Sequence, residues 1–253
     1  MSEQLKLRIY GPAEKPTLIY LPGLHGDWTL VGEFRKCLGD RVRFVEFTYP
    51  RTREWSLDDY AAAIEKSLAE NGINQGWLLG ESFGSQIVWA LARRKNISTT
   101  GIILAGGFVK HPLRWAVRLT EILFGQLPFS LLVLAMFAFT KYTRLRSRRS
   151  PETQADLDEF ISRRTELDRR AAVHRLKLIA ENDPRPVAQD TKSPVFYLSG
   201  LIDPVVPWNF VQHWLKCHCP ALRDCKIVST ADHIVLNTAP EKSAAQVLRW
   251  MEM

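Results

Sequence analysis

The stretch Leu78-Leu79-Gly80-Glu81-Ser82-Phe83-Gly84-Ser85 decides how the chain is read. Trp77, Leu78 and Leu79 form the end of a short apolar strand, and Gln86-Ile87-Val88-Trp89-Ala90-Leu91-Ala92 reads as a helix. Only a sharp bend fits between them, and Ser82 occupies it. Such a bend strains the backbone of its central residue and projects the hydroxyl from the edge of a sheet. Gly80 and Gly84, two positions to either side, stand where a Cβ would strike neighbouring backbone. Ser82 also sits at a helix N-terminus, whose N–H groups face a developing negative charge. A bare Gly-x-Ser-x-Gly equally describes a glycine-rich turn with a capping serine. The strand before it and the helix after it select a nucleophile.

Short apolar strands alternate with amphipathic helices on both sides of this bend. Upstream, Leu5 to Tyr10 alternates like a half-buried edge strand, Thr17 to Leu21 is fully apolar, and Val42 to Phe47 is a third strand. Ser56-Leu57-Asp58-Asp59 opens a helix with apolar positions at Leu57, Tyr60, Ala61, Ile64 and Leu68, closed by Gly72. Downstream come the strands Gly101 to Ala105, Pro194 to Gly200 and Cys225 to Ser229, then a helix starting near Pro240. This alternation predicts an α/β fold: a mostly parallel sheet of seven or eight strands with helices on both faces. Ligands bind such sheets beyond the carboxyl ends of the strands.

A serine nucleophile needs a base, and the base needs an orienting group. Of the six histidines, His233 follows a strand end in Thr230-Ala231-Asp232-His233-Ile234, and His25 follows the second strand. His111, His174, His213 and His218 fall on helical or inserted segments. His233 is the favoured base, because it lies C-terminal to both Ser82 and a usable carboxylate. That carboxylate is Asp203, in Gly200-Leu201-Ile202-Asp203-Pro204, although an Asp-Pro pair also serves a turn on its own account. The loop Pro22-Gly23-Leu24-His25-Gly26-Asp27-Trp28 should supply an oxyanion donor from the Leu24 N–H, with the Phe83 N–H as the other. It is no phosphate loop, lacking both a Gly-Lys-Ser/Thr ending and G-x-G-x-x-G spacing.

With these elements in order, the chain resembles the α/β-hydrolases, in particular the capped small carboxylesterases. The resemblance rests on Leu21-Pro22-Gly23-Leu24-His25-Gly26, Gly80-Glu81-Ser82-Phe83-Gly84, Gly200-Leu201-Ile202-Asp203 and Asp232-His233. It implies a Ser82–His233–Asp203 triad, an oxyanion hole from Leu24 and Phe83, and ester hydrolysis through an acyl-serine. Thioester or carbon–carbon bond cleavage, or a ligand-binding role with vestigial turnover, would use the same residues. No metal or organic cofactor is implied.

Between Gly107 and Pro194 the strand pattern stops. The expected division is a core of residues 1–107 and 191–253, with residues 108–190 inserted after the sixth strand as a helical cap. Its helices are expected at Trp115 to Gly125, Pro128 to about Arg146, Pro151 to Glu166 and Arg169 to Glu181. Leu127 to Phe139 is an unbroken apolar run apart from Ser130, followed by Lys141, Arg144, Arg146, Arg148 and Arg149. Its 13 residues span only about 20 Å as a helix, short of a hydrocarbon core of about 30 Å. A lid lining an apolar acyl pocket is the better reading, with a transient membrane-interface contact as the alternative. Gly23, His25, Trp28, Phe129, Leu132 and Met136 are the expected substrate-contacting residues.

The insertion is also the basic part of the chain, with 15 Lys and Arg against 10 Asp and Glu; the formal net charge of the whole is +7. Such an excess suits an anionic or carrier-bound ester and is not by itself a nucleic-acid signal. His213, Cys217, His218, Cys219 and Cys225 match no standard zinc spacing and read as ordinary thiols and imidazoles. No signal-like segment precedes Leu5, so the cytoplasm is the expected compartment.

Overall fold

The structure, a computed structural model, describes residues 4–131, 134, 160–161 and 164–253. Seven strands form one sheet: β1 (Lys6–Tyr10), β2 (Thr17–Leu21), β3 (Arg43–Thr48), β4 (Gln75–Glu81), β5 (Ser98–Ala105), β6 (Val195–Gly200) and β7 (Leu222–Val228). Their spatial order is β1-β3-β2-β4-β5-β6-β7. Only β1 runs antiparallel, pairing Lys6 with Thr48 and Tyr10 with Phe44. The strand that carries the serine bend is therefore central, with three strands on each side.

The sheet is buried on both faces, which is why its inner strands read as apolar runs rather than alternations. Successive side chains still go to opposite faces. Ile19 and Leu21 join one core with Tyr60, Ile64, Ile87 and Leu104. Leu18 and Tyr20 join the other with Phe34, Phe44, Ile103 and Trp250. The helices covering these faces are α1 (Gly32–Leu38), α2 (Leu57–Glu70), α3 (Gly84–Arg94), α7 (Trp208–His218), the short α8 (Val235–Thr238) and α9 (Pro240–Met251). Helix α2 starts where its sequence says it should. Ser56 accepts from Asp59 N–H while the Asp59 carboxylate accepts from Ser56 N–H, satisfying two amides that the helix itself cannot pair.

The insertion follows the fifth strand in chain order, not the sixth. The N-terminal segment supplies a single strand ahead of Thr17, so the sheet has seven strands. Within the insertion, α4 (Arg114–Gln126) packs on α5 (Glu166–Glu181), followed by the short α6 (Arg185–Asp190). Thr165 caps α5 with the same reciprocal pairing to Asp168. Helix α6 lies against α3 and buries Ala188 in the first core, so the end of the 108–190 span is part of the main helix layer. Helix α4 leaves Trp115, Leu119, Ile122 and Leu123 exposed along one side. The helices expected from Pro128 to Arg146 and from Pro151 to Glu166 lie largely outside the described residues. Among those described, no helix is long and apolar enough to cross a membrane.

Candidate active site

Ser82 directly follows β4 and has φ +49°, one of two non-glycine residues in the left-handed region among the described residues. The sequence around it is built to hold that bend. A Cβ on Gly84 would lie 2.0 Å from the Leu21 carbonyl oxygen, and one on Gly80 2.8 Å from Ser85 N. Ser82 N–H donates to Ala105 O at 3.0 Å, continuing the parallel ladder into the turn. The fully buried Ser85 hydroxyl donates to Ser82 O at 2.6 Å and accepts from Phe108 N–H at 3.1 Å. These bonds hold a backbone conformation that an isolated serine rarely adopts.

Three strand ends then converge. His233, in the loop after β7, places Nε2 2.9 Å from Ser82 Oγ. Its Nδ1 lies 2.8 Å from Oδ2 of Asp203, in the loop after β6. The other Asp203 oxygen accepts from Val205 and Val206 N–H, each at 2.8 Å. One carboxylate thus makes both the turn and the contact to the ring, and its side chain is fully buried. The loops can approach because of two glycines. Gly200 lies where a Cβ would meet the Asp232 carbonyl at 2.2 Å, and Gly106, at φ +54°, abuts the His233 carbonyl.

Burial alone would depress the His233 pKa. The hydrogen bond and charge of Asp203, reinforced by Glu81 and Asp232, overrule it and raise the pKa above 6.5. Glu81 itself is buried and takes a 2.5 Å hydrogen bond from the Tyr20 hydroxyl, while its Oε1 has no partner among the described residues. Desolvation raises its carboxyl to about 7, against the pull of Tyr20 and His233.

The loop from Gly23 to Trp28 stands next to Ser82. Gly26 N–H closes a turn onto Gly23 O at 3.0 Å, and a Cβ on Gly23 would lie 3.4 Å from both Ser82 Cβ and the His25 ring. Among the described residues no acceptor pairs with the N–H of Leu24 or of Phe83. The His25 ring meets Phe160 edge-on at 5.7 Å, and desolvation holds its pKa at about 4, so it is neutral. Trp28 is brought by no contact among the described residues to Ser82, His233 or Asp203. Its ring packs on the second core and carries the Arg8 guanidinium 3.9 Å from its centroid. Phe129 is half-buried, while Leu132 and Met136 lie outside the described residues.

Besides Glu81, three neighbours were not evident from sequence. Arg164 donates to His25 O at 3.4 Å and pairs with Asp27, whose pKa falls to about 2 although burial opposes this, because His25 and Arg164 lie beside it. Arg175 is buried beneath the same loop. His111 is buried against Phe108, and burial first, then the nearby His233, lowers its pKa to about 4. A lone acid inside an apolar strand was the available signal for Glu81; the arginines gave none. Cys217 Sγ and His213 Nε2 lie 3.8 Å apart, but no group of three or more possible metal ligands occurs among the described residues.

Comparison with known proteins agrees with this architecture. A family profile described as the alpha/beta hydrolase fold matches residues 42–240, and the chain belongs to that family. Among solved structures, it is similar to a hydrolase from Pseudomonas aeruginosa PA01, with a TM-score of 0.81 at 15% identity over 98% of this chain and 94% of that one. It is likewise similar to the esterase EaEST from Exiguobacterium antarcticum (TM-score 0.79, 12% identity, 98% and 96% covered). A bromoperoxidase from Bacillus anthracis scores 0.80 at 12% identity, with 98% and 95% covered. A search of curated protein sequences gave no match. Identities this low carry the fold and leave the chemistry to the site.

Proposed function

We propose that the chain is a serine hydrolase of carboxylic esters. The observation that carries this reading is the continuous contact from Ser82 Oγ through the His233 ring to Asp203 Oδ2, with Ser82 strained at the end of the central strand. In the proposed reaction Ser82 Oγ attacks the ester carbonyl while His233 Nε2 takes its proton. Asp203 holds the ring in the tautomer with Nδ1–H and stabilises the imidazolium. The N–H groups of Leu24 and Phe83 receive the oxyanion, a contribution of about 3 kcal/mol per donor. Collapse of the tetrahedral intermediate expels the alcohol, which leaves with the proton from Nε2. Water, deprotonated by the same nitrogen, then attacks the acyl-serine and releases the acid.

The acyl group is proposed to meet Gly23, His25 and Phe129, together with Leu132 and Met136. Trp28 is left out because its contacts lie elsewhere. Residues 108–190 act as a cap in this reading, and the exposed apolar side of α4 is where an acyl chain or a lipid interface would meet it. The basic excess of this segment favours anionic or carrier-bound esters, whose turnover then falls with rising salt.

A panel of p-nitrophenyl acyl esters tests the reading. Turnover at one or more chain lengths, abolished by Ser82→Ala, is expected. No turnover across the series would sink it.

A further inference from the structure

Arg175 lies near the middle of α5, 1% exposed, and no carboxylate pairs with it among the described residues. A buried guanidinium without a counter-ion is costly, so the structure must use its donors elsewhere. Nη1 donates to Leu24 O at 2.9 Å and Nη2 to Pro50 O at 3.2 Å. The group also lies 5.5 Å from the centre of the Tyr49 ring. Tyr49 holds the same loop by its two ends: its N–H donates to Gly26 O at 2.8 Å and its hydroxyl to Pro22 O at 3.3 Å. Gly26, at φ +80°, leaves the room Arg175 needs, since a Cβ there would lie 2.2 Å from Nη1.

From this geometry we infer that Arg175 is the positioning residue of the oxyanion loop, clamping the Leu24 carbonyl to the Pro50 carbonyl from the inserted helix α5. Leu24 and His25 are the two central residues of the turn closed by Gly26 N–H onto Gly23 O. The peptide between them is the unit that reverses most easily in a β-turn, because its rotation leaves the turn's ends in place. Arg175 bonds to the carbonyl of that peptide. With Tyr49 holding the ends and Arg175 the middle, the turn keeps one conformation: the Gly26 N–H bond to Gly23 O fixes the peptide that carries the Leu24 N–H, and Arg175 keeps the carbonyl of the next peptide from turning out on the opposite side of the loop, where it would repel an oxyanion. The uncompensated positive charge behind the loop also favours an anion in front of it. The insertion is then a structural component of the oxyanion hole as well as a cover. This inference rests on the serine-hydrolase reading for its kinetic part and on geometry alone for its conformational part.

Arg175→Met and Arg175→Lys test it, measured for steady-state kinetics, affinity for an acyl trifluoromethyl ketone and backbone hydrogen exchange over residues 22–28. For Arg175→Met, kcat is expected to fall about 100-fold, the scale of one lost oxyanion donor, with KM changed less than about threefold. Ketone affinity should fall in parallel with kcat/KM, and Arg175→Lys, which restores the charge and one donor, should recover part of the loss. The acid limb of the pH profile should stay in place, since the triad is untouched. Exchange over residues 22–28 should rise while that over residues 78–90 does not. An unchanged kcat, a loss confined to KM, or unaltered exchange in the loop would each overturn the inference. If the wild-type protein turns over no ester, the hydrolase reading fails, and loop exchange alone decides whether Arg175 is the clamp. If Arg175→Met does not fold, Arg175→Lys carries the same measurements.

Discussion

Glu81 and Tyr20 share a 2.5 Å hydrogen bond inside the sheet, one residue before the serine at the bend. The carboxyl is raised to about 7 by desolvation, and its charge acts on His233 together with those of Asp203 and Asp232. In the proposed reaction His233 works as a base only when neutral, so activity is present above its folded pKa and is lost as pH falls through it. That pKa is raised, which puts the acid limb above 6.5. Glu81→Gln removes one of the charges that raise it. The limb of kcat/KM should therefore move to lower pH, with the plateau rate changed by less than about tenfold. A limb that stays in place would show that Glu81 is not charged when His233 titrates.

Asp203→Asn keeps an oxygen for the Val205 and Val206 amides but cannot hold the ring in the tautomer with Nδ1–H. Loss of kcat by about ten-thousand-fold is expected, with KM and thermal stability nearly unchanged. A loss of less than about tenfold would assign the base another orienting group.

Glycines at the bend and at a helix end should respond differently to alanine. Gly84→Ala places a Cβ 2.0 Å from the Leu21 carbonyl, backbone that cannot turn aside, and should cost about 3 kcal/mol or prevent folding. Gly72, at φ +69° with nothing within 4 Å, carries conformational strain alone, so its substitution should cost about 1 kcal/mol. Denaturant melts of the two variants check the ordering. Equal losses would remove the steric argument for the bend.

Much of this arrangement is legible in the chain because it is written in local terms. Ser82 announces itself by the glycines around it, and Ser56 by its helix cap. Asp203 and His233 can be found because a parallel sheet delivers its functional residues at carboxyl strand ends, so strand position stands in for distance. Strand limits are less legible. Helix α6 and the first residues of β5 carry no periodicity of their own and take their form from α3 and from β4. Arg164 and Arg175 are least legible of all. A basic residue on a helix reads as solvated unless its partner is known, and here the partners, the His25 carbonyl and Asp27 carboxylate for Arg164 and the Leu24 carbonyl for Arg175, lie about 140 and 150 residues away. Such contacts leave no trace in spacing.

A fluorophosphonate tests whether Ser82 is an activated nucleophile without knowledge of the natural ester. The folded protein is exposed to the reagent, digested, and the adduct located by mass spectrometry. A single adduct on Ser82 is predicted, absent after denaturation and in Ser82→Ala, and formed far more slowly in His233→Ala. No adduct, or one on another residue with Ser82 untouched, would show that Ser82 is not an activated nucleophile.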